Sequence, residues 1–73
     1  MKNQTITITT EYIKLQDLLK FAAVTYTGGE AKVLIQDGAV SVNGQVCTQR
    51  GKKLRHGDTA QLGDILLTVN YAD

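Results

Sequence analysis

Residues 27–58, TGGEAKVLIQDGAVSVNGQVCTQRGKKLRHGD, decide the fold of this chain, and the pattern within them changes twice. The first part predicts a helix. Thr27 and Glu30 have the T-x-x-E spacing of a capping box, in which the threonine oxygen accepts a hydrogen bond from a first-turn amide. Apolar residues at i, i+3 and i+4 follow. We therefore predict a short, one-sided helix that starts near Gly28 and ends before Gly38, which supplies a left-handed cap.

The second part predicts a β-hairpin. Alternating valines lead into Asn43-Gly44, the strongest two-residue signal for a type I′ turn. In such a hairpin Val42 faces Gln45, where the return strand is expected to begin. Val46 then points to the face opposite the valines of the first strand. Either both faces of the hairpin are partly covered, or its return arm is irregular.

The third part is a basic loop. Half of the chain's 8 lysine and arginine residues lie within residues 50–55. Judged by charge alone, a run of this kind is usually a solvated loop. A binding function requires that cations from other parts of the chain meet it.

The flanking sequence adds strands and a first helix. Residues 4–10 alternate isoleucine with threonine, as in a half-buried strand. Residues 15–24 carry a leucine stripe at helical spacing. Residues 58–62 and 65–71 read as a closing hairpin, and its second strand is the expected partner of the first strand of the chain. We predict one α+β domain, residues 1–73, in which two short helices pack on a small, mostly antiparallel sheet.

Length and composition set further limits. A chain of 73 residues buries about 60% of the surface that its unfolded form exposes, so its stability is modest. The net charge of +1 does not by itself indicate a partner. The single Cys47 cannot form an internal disulfide, and no apolar run is long enough for a signal peptide or a membrane span. The expected location is the cytoplasm.

The sequence lacks the residues that catalysis, metal binding and cofactor binding need. His56 is the only histidine, and no nucleophile is predicted beside it. One cysteine and one histidine cannot fill a tetrahedral metal site. Gly28-Gly29 is not a dinucleotide-binding fingerprint. We expect no enzyme, no metal and no cofactor, and we expect Asp58 to cap a turn.

The pattern A-K-x-L-I-x-x-G-x-V-x-V-N-G, followed by a spacer and Gly57-Asp58, resembles the RNA-binding domain of ribosomal protein S4, the alpha-L motif. This domain occurs as an appended module and in small stand-alone bacterial proteins. The resemblance covers a motif core at residues 14–58. Many members open the second helix with Ser-Arg, whereas this chain has Thr27-Gly28, as in the short stand-alone members. The resemblance implies a non-catalytic protein that contacts structured RNA, either ribosomal or transfer RNA, and that associates with the ribosome.

RNA recognition of this kind requires the two helices and the basic loop to converge. Lysine and arginine would then contact phosphates, while polar side chains reach 2′-hydroxyls or base edges. The predicted RNA-binding residues are Lys14, Gln16, Thr27, Lys32, Gln49, Arg50, Lys52, Lys53 and Arg55. Aromatic residues are sparse near these positions, so stacking of single-stranded bases is a weaker hypothesis.

Two other classes of protein remain open at this stage. One is a protein-interaction module that kept the fold and lost the RNA surface, a hypothesis favoured by the missing second-helix arginine. The other is a ubiquitin-like sulfur carrier, which shares V-N-G, a spacer and Gly-Asp before a final strand. Those carriers act through a C-terminal Gly-Gly, whereas this sequence ends in Tyr71-Ala72-Asp73. The oligomeric state is also open, because an exposed first strand can pair with a copy of itself.

Overall fold

The computed structural model describes residues 2–72, so the predicted domain limits at residues 1 and 73 lie outside the described residues. Within residues 2–72, seven strands and two helices form an α+β arrangement. They are β1 (Lys2–Ile8), β2 (Ile13–Lys14), α1 (Leu15–Phe21), α2 (Gly28–Gln36), β3 (Val40–Val42), β4 (Gln45–Val46), β5 (Lys53–Leu54), β6 (Thr59–Leu62) and β7 (Ile65–Tyr71).

The larger sheet has the strand order β1-β7-β6-β3-β4. Its pairs are antiparallel except for β1 and β7, which run parallel. The predicted partnership between the first and last strands is therefore confirmed, as is the mostly antiparallel sheet. A second sheet joins β2 to β5, with Ile13 opposite Leu54 and Lys14 opposite Lys53. The sequence did not predict this small sheet, because each strand is only two residues long.

The core lies between the two helices and the sheet. Leu15, Leu18 and Leu19 of α1 are fully buried, and Ala31 and Ile35 of α2 join them. Each fully buried leucine contributes about 1.5–3 kcal/mol relative to an exposed one. The apolar stripes predicted for both helices are confirmed, and their buried residues form one core with the buried residues of the sheet.

The second helix begins and ends as its sequence predicts. Thr27 is the N-cap, and its Oγ1 accepts a hydrogen bond from the Glu30 amide at 3.1 Å. Gly38 follows the C-cap with φ 79°, in the left-handed region that favours glycine. The amides of Gly38 and Ala39 donate to carbonyls of the last turn, as in a Schellman motif.

The first helix ends at Phe21, three residues before the predicted end at residue 24. Ala23 adopts φ 59°, which stops the helix. The amides of Ala23 and Val24 donate at 3.0 Å to the carbonyls of Lys20 and Leu19. This too is a Schellman motif, but alanine occupies the position that usually holds glycine. No local signal in the sequence therefore marks the end of this helix.

Two predicted strands have different bounds in the structure, and one of them is β6, which begins at Thr59 rather than at residue 58. β1 covers residues 2–8 rather than 4–10, because its last paired residue is Ile8, opposite Tyr71. The hairpin turn at Asn43-Gly44 has φ values of 51° and 85°, as a type I′ turn requires. Its return strand is only two residues long and leaves Val46 exposed, so the irregular arm is the correct alternative. Within residues 2–72, no helix is long and apolar enough to cross a membrane.

Candidate nucleic-acid interface

The basic loop is held along the first turn of α1 by its own backbone. The Leu15 amide donates to the Lys52 carbonyl at 2.8 Å, and the Gln16 amide donates to the Arg50 carbonyl at 3.1 Å. First-turn amides have no partner inside their own helix, so the loop satisfies groups that would otherwise need water. The loop carbonyls thus face the helix, while the Arg50 and Lys52 side chains are exposed to solvent.

The small β2–β5 sheet places two lysines directly opposite each other. Lys14 pairs with Lys53, and both side chains are exposed, whereas the neighbouring pair, Ile13 and Leu54, is buried. Directly opposite residues of an antiparallel pair have Cβ atoms roughly 4.5–5.5 Å apart, and like charges there are destabilising. The fold therefore holds two positive charges together at a cost in stability.

Tyr12 lies beside these cations. The Lys53 Nζ atom is 4.8 Å from the centroid of the Tyr12 ring, and the Arg55 Cζ atom is 5.7 Å from it. Both distances fall within the range of cation–π attraction. Sequence reasoning missed Tyr12, although it directly precedes the two residues of β2. Its half-buried ring contacts two cationic side chains and is an aromatic surface within the candidate interface.

We call the five cations of β2, the loop and β5 the basic face. Its members are Lys14, Arg50, Lys52, Lys53 and Arg55. Within residues 2–72, no ion pair with a carboxylate neutralises any of them. Glu11 lines a concavity with Arg55, and Asp17 lines a groove with Lys14, so carboxylates border the face without pairing to it. The face remains positively charged.

The other predicted site residues divide between the basic face and α2. Gln16 bonds to the loop through its amide, and the Gln49 carbonyl accepts from the Lys52 amide at 3.1 Å. Both lie against the basic face. Thr27 and Lys32 belong to the α2 segment, where the Thr27 hydroxyl caps the helix. Within the described chain, no hydrogen bond or ring contact links these two side chains to the loop.

Asn43 and Asp58 fix the end of the loop. The Asn43 Oδ1 accepts from the Thr59 amide at 2.9 Å, and its Nδ2 donates to the Asp58 Oδ1 at 3.2 Å. The Asp58 Oδ2 accepts from the Arg55 amide at 2.8 Å, which confirms the predicted capping role. The Asn-Gly and Gly-Asp pairs of the sequence are thus parts of one hydrogen-bonded unit. That unit positions Arg55 at the edge of the basic face.

His56 connects the loop to the sheet. Its Nδ1 accepts a hydrogen bond from the Tyr71 amide of β7 at 3.0 Å. The imidazole therefore has a structural role at the far end of the loop. Among the described residues 2–72, no three histidine, cysteine or acidic side chains are grouped so that they could hold a metal ion.

Comparison with known proteins identifies the family. The family model described as "S4 domain" matches residues 6–70, which extends well beyond the motif core at residues 14–58. A relative from Bacillus subtilis (strain 168), named "Probable ribosome maturation protein RlbA", is 40% identical over 57 residues. The match covers 78% of this chain and 80% of that protein. The resemblance drawn from the sequence is confirmed, and the chain belongs to the S4 domain family.

Proposed function

We propose that this protein binds structured RNA through its basic face and does so without catalysing a reaction. The observation that carries the proposal is the pairing of Lys14 with Lys53 beside further cations, none of them neutralised by a carboxylate within residues 2–72. A surface of this kind attracts phosphates, because each phosphate contact releases condensed counterions. Polyanion binding would also relieve the repulsion between the two lysines.

The geometry favours structured RNA over a flexible single strand. The basic face is held by backbone hydrogen bonds and by the β2–β5 pairing, so the backbone positions that carry its cations have fixed spacing. Cations carried at fixed backbone positions suit the regular phosphates of a folded RNA, which proteins recognise mostly by shape. Binding of single strands depends on several aromatic platforms, and Tyr12 is the one aromatic ring in contact with basic-face cations within residues 2–72.

The proposed partner is ribosomal RNA. The support is the name of the Bacillus relative, which refers to ribosome maturation, together with membership of the S4 domain family. Transfer RNA is the second structured RNA to test. Either partner would place the protein in the cytoplasm.

The direct test is the salt dependence of binding. The triple variant Lys52→Ala, Lys53→Ala, Arg55→Ala removes three exposed cations and leaves the backbone hydrogen bonds of the loop intact. The slope of log affinity against log salt should become shallower by about 0.7–0.9 for each phosphate that the variant no longer binds. Lys2→Ala is the matched control, because Lys2 lies in β1 and outside the basic face. An unchanged slope in the triple variant would place RNA binding on another surface.

A protein-interaction function is the second candidate, and the exposed Phe21 favours it. Phe21 is 70% exposed and borders a groove of about 540 Å³ between α1 and the segment after β1. Binding to purified ribosomal particles separates the two functions. Absence of binding in Phe21→Ser, with full binding retained in the triple variant, would favour a protein partner. The reverse pattern would favour RNA.

A further inference from the structure

A concavity next to the basic face has no assigned role. It lies between the β3–β4 hairpin and the start of the basic loop, and its volume is about 350 Å³. Lys52 lines it and also belongs to the basic face, so the two surfaces are continuous. A volume near the lower end of the usual range for ligand sites, roughly 300–1,000 Å³, suits one small group rather than a segment of chain.

The wall of the concavity combines an apolar surface with amide groups. Val42 and the half-buried Cys47 lie on the same face of the β3–β4 hairpin as Gln45, and both line the concavity. Gln45 and Gln49 flank it, and within residues 2–72 neither side-chain amide has a hydrogen-bond partner. A glutamine amide carries both a donor and an acceptor, which is the combination that base edges require. An apolar contact beside two unused amides matches the face and edge of a nucleobase.

We propose that this concavity holds one unpaired nucleotide of the bound RNA. The base lies on Cys47 with its edge toward Gln45 and Gln49, and Lys52 contacts its phosphate. In an A-form helix the base edges of the deep major groove are out of reach, whereas bases in bulges and loops are open to side chains. The site therefore selects a helix with an extruded base over an uninterrupted helix. This inference rests on the proposed RNA-binding function and adds a specificity to it.

The experiment compares three RNA hairpins of equal length. One has an uninterrupted stem, one has a single bulged adenosine, and one has a single bulged uridine. The wild-type protein should bind at least one bulged stem roughly tenfold more tightly than the uninterrupted stem, the size of one good base-edge contact. Gln45→Ala, which lies outside the predicted RNA-binding residues, should lose most of that preference and keep its affinity for the uninterrupted stem. Gln36→Ala, an exposed glutamine at the end of α2, is the matched control.

The outcomes separate the two claims. Equal wild-type affinity for all three stems would overturn the nucleotide site while leaving RNA binding by the basic face in place. A preference that is unchanged in Gln45→Ala would also overturn it, because the recognition would then lie elsewhere. Absence of binding to all three stems at low salt would overturn the proposed function as well. Thermal melting of each variant confirms that the exposed substitutions preserve the fold.

Discussion

Replacing Lys14 with glutamine should stabilise this protein at low ionic strength and weaken its binding to RNA. Lys14 directly faces Lys53 in the β2–β5 pair, and it is also the N-cap residue of α1. A cation opposite another cation is unfavourable, and so is a cation at the positive end of a helix dipole. Glutamine keeps a long polar side chain and removes both unfavourable interactions. The substitution therefore separates the stability of the domain from its proposed function.

The size of the effect follows from the geometry. Two unit charges roughly 6 Å apart in water repel by about 0.7 kcal/mol, and the mobility of exposed lysines reduces that value. The dipole adds about 0.3 kcal/mol at a short, exposed helix. We expect a gain of about 0.5–1 kcal/mol in the free energy of unfolding. For 73 residues, this corresponds to a rise in Tm of about 3–6 °C.

Thermal and urea unfolding at 10 mM and at 1 M salt measure the effect. The Debye length falls from about 30 Å to about 3 Å over this range, so the gain should shrink at high salt. Lys2→Gln, which lies in β1, is the control and should show no comparable gain. In Lys14→Gln, the slope of log affinity against log salt should become shallower by about 0.7–0.9, the value for one phosphate contact. A variant that is no more stable at low salt, or equally stabilised at both salts, would refute the reasoning.

Three further substitutions test particular parts of the fold and the site. Ala23→Gly should raise the free energy of unfolding by about 0.5–1 kcal/mol, because glycine tolerates the left-handed backbone there, whereas the control Ala39→Gly should lower it. A lower free energy of unfolding in both variants would contradict the assigned cap. Asn43→Ala should lower the free energy of unfolding, measured in urea, by about 2–3 kcal/mol, and Asn43→Gly should lower it less because glycine tolerates the left-handed turn. Equal losses in the two variants would mean that only the side-chain hydrogen bonds contribute and that the turn conformation does not. In a fluorescence anisotropy assay, Tyr12→Leu should weaken RNA binding several-fold and Tyr12→Phe should not, because phenylalanine keeps the ring. Equal RNA affinities of the two variants would mean that the Tyr12 ring does not contribute to binding.

Much of the architecture is readable from the sequence where local rules and burial agree. The cap at Thr27, the left-handed Gly38 and the Asn43-Gly44 turn each have a strong local signal, and the structure has all of them. The end of α1 is not readable, because Ala23 takes a backbone conformation that its side chain disfavours and that only its surroundings enforce. Tertiary context decides at that position.

The candidate site could be predicted only in part, for a similar reason. A dense run of cations identifies the basic loop in the sequence, but no local pattern predicts that Ile13 and Lys14 pair with residues 53 and 54. That pairing places Lys14 and Tyr12 beside the loop. For Lys32 the sequence predicts the helix correctly, but within residues 2–72 no bond connects its side chain to the basic loop. Long-range pairing of very short strands lies beyond what periodicity can show.

The most direct test of RNA binding by the basic face is an NMR titration of the ¹⁵N-labelled protein with a ribosomal RNA stem. We expect the largest amide shifts at residues 14–16 and 49–55, which the β2–β5 pair and the loop hydrogen bonds place together. The amides of residues 61–66, at the turn and the adjoining ends of β6 and β7, should remain unchanged and serve as the internal reference. Shifts centred on that turn, with residues 49–55 unaffected, would contradict the account.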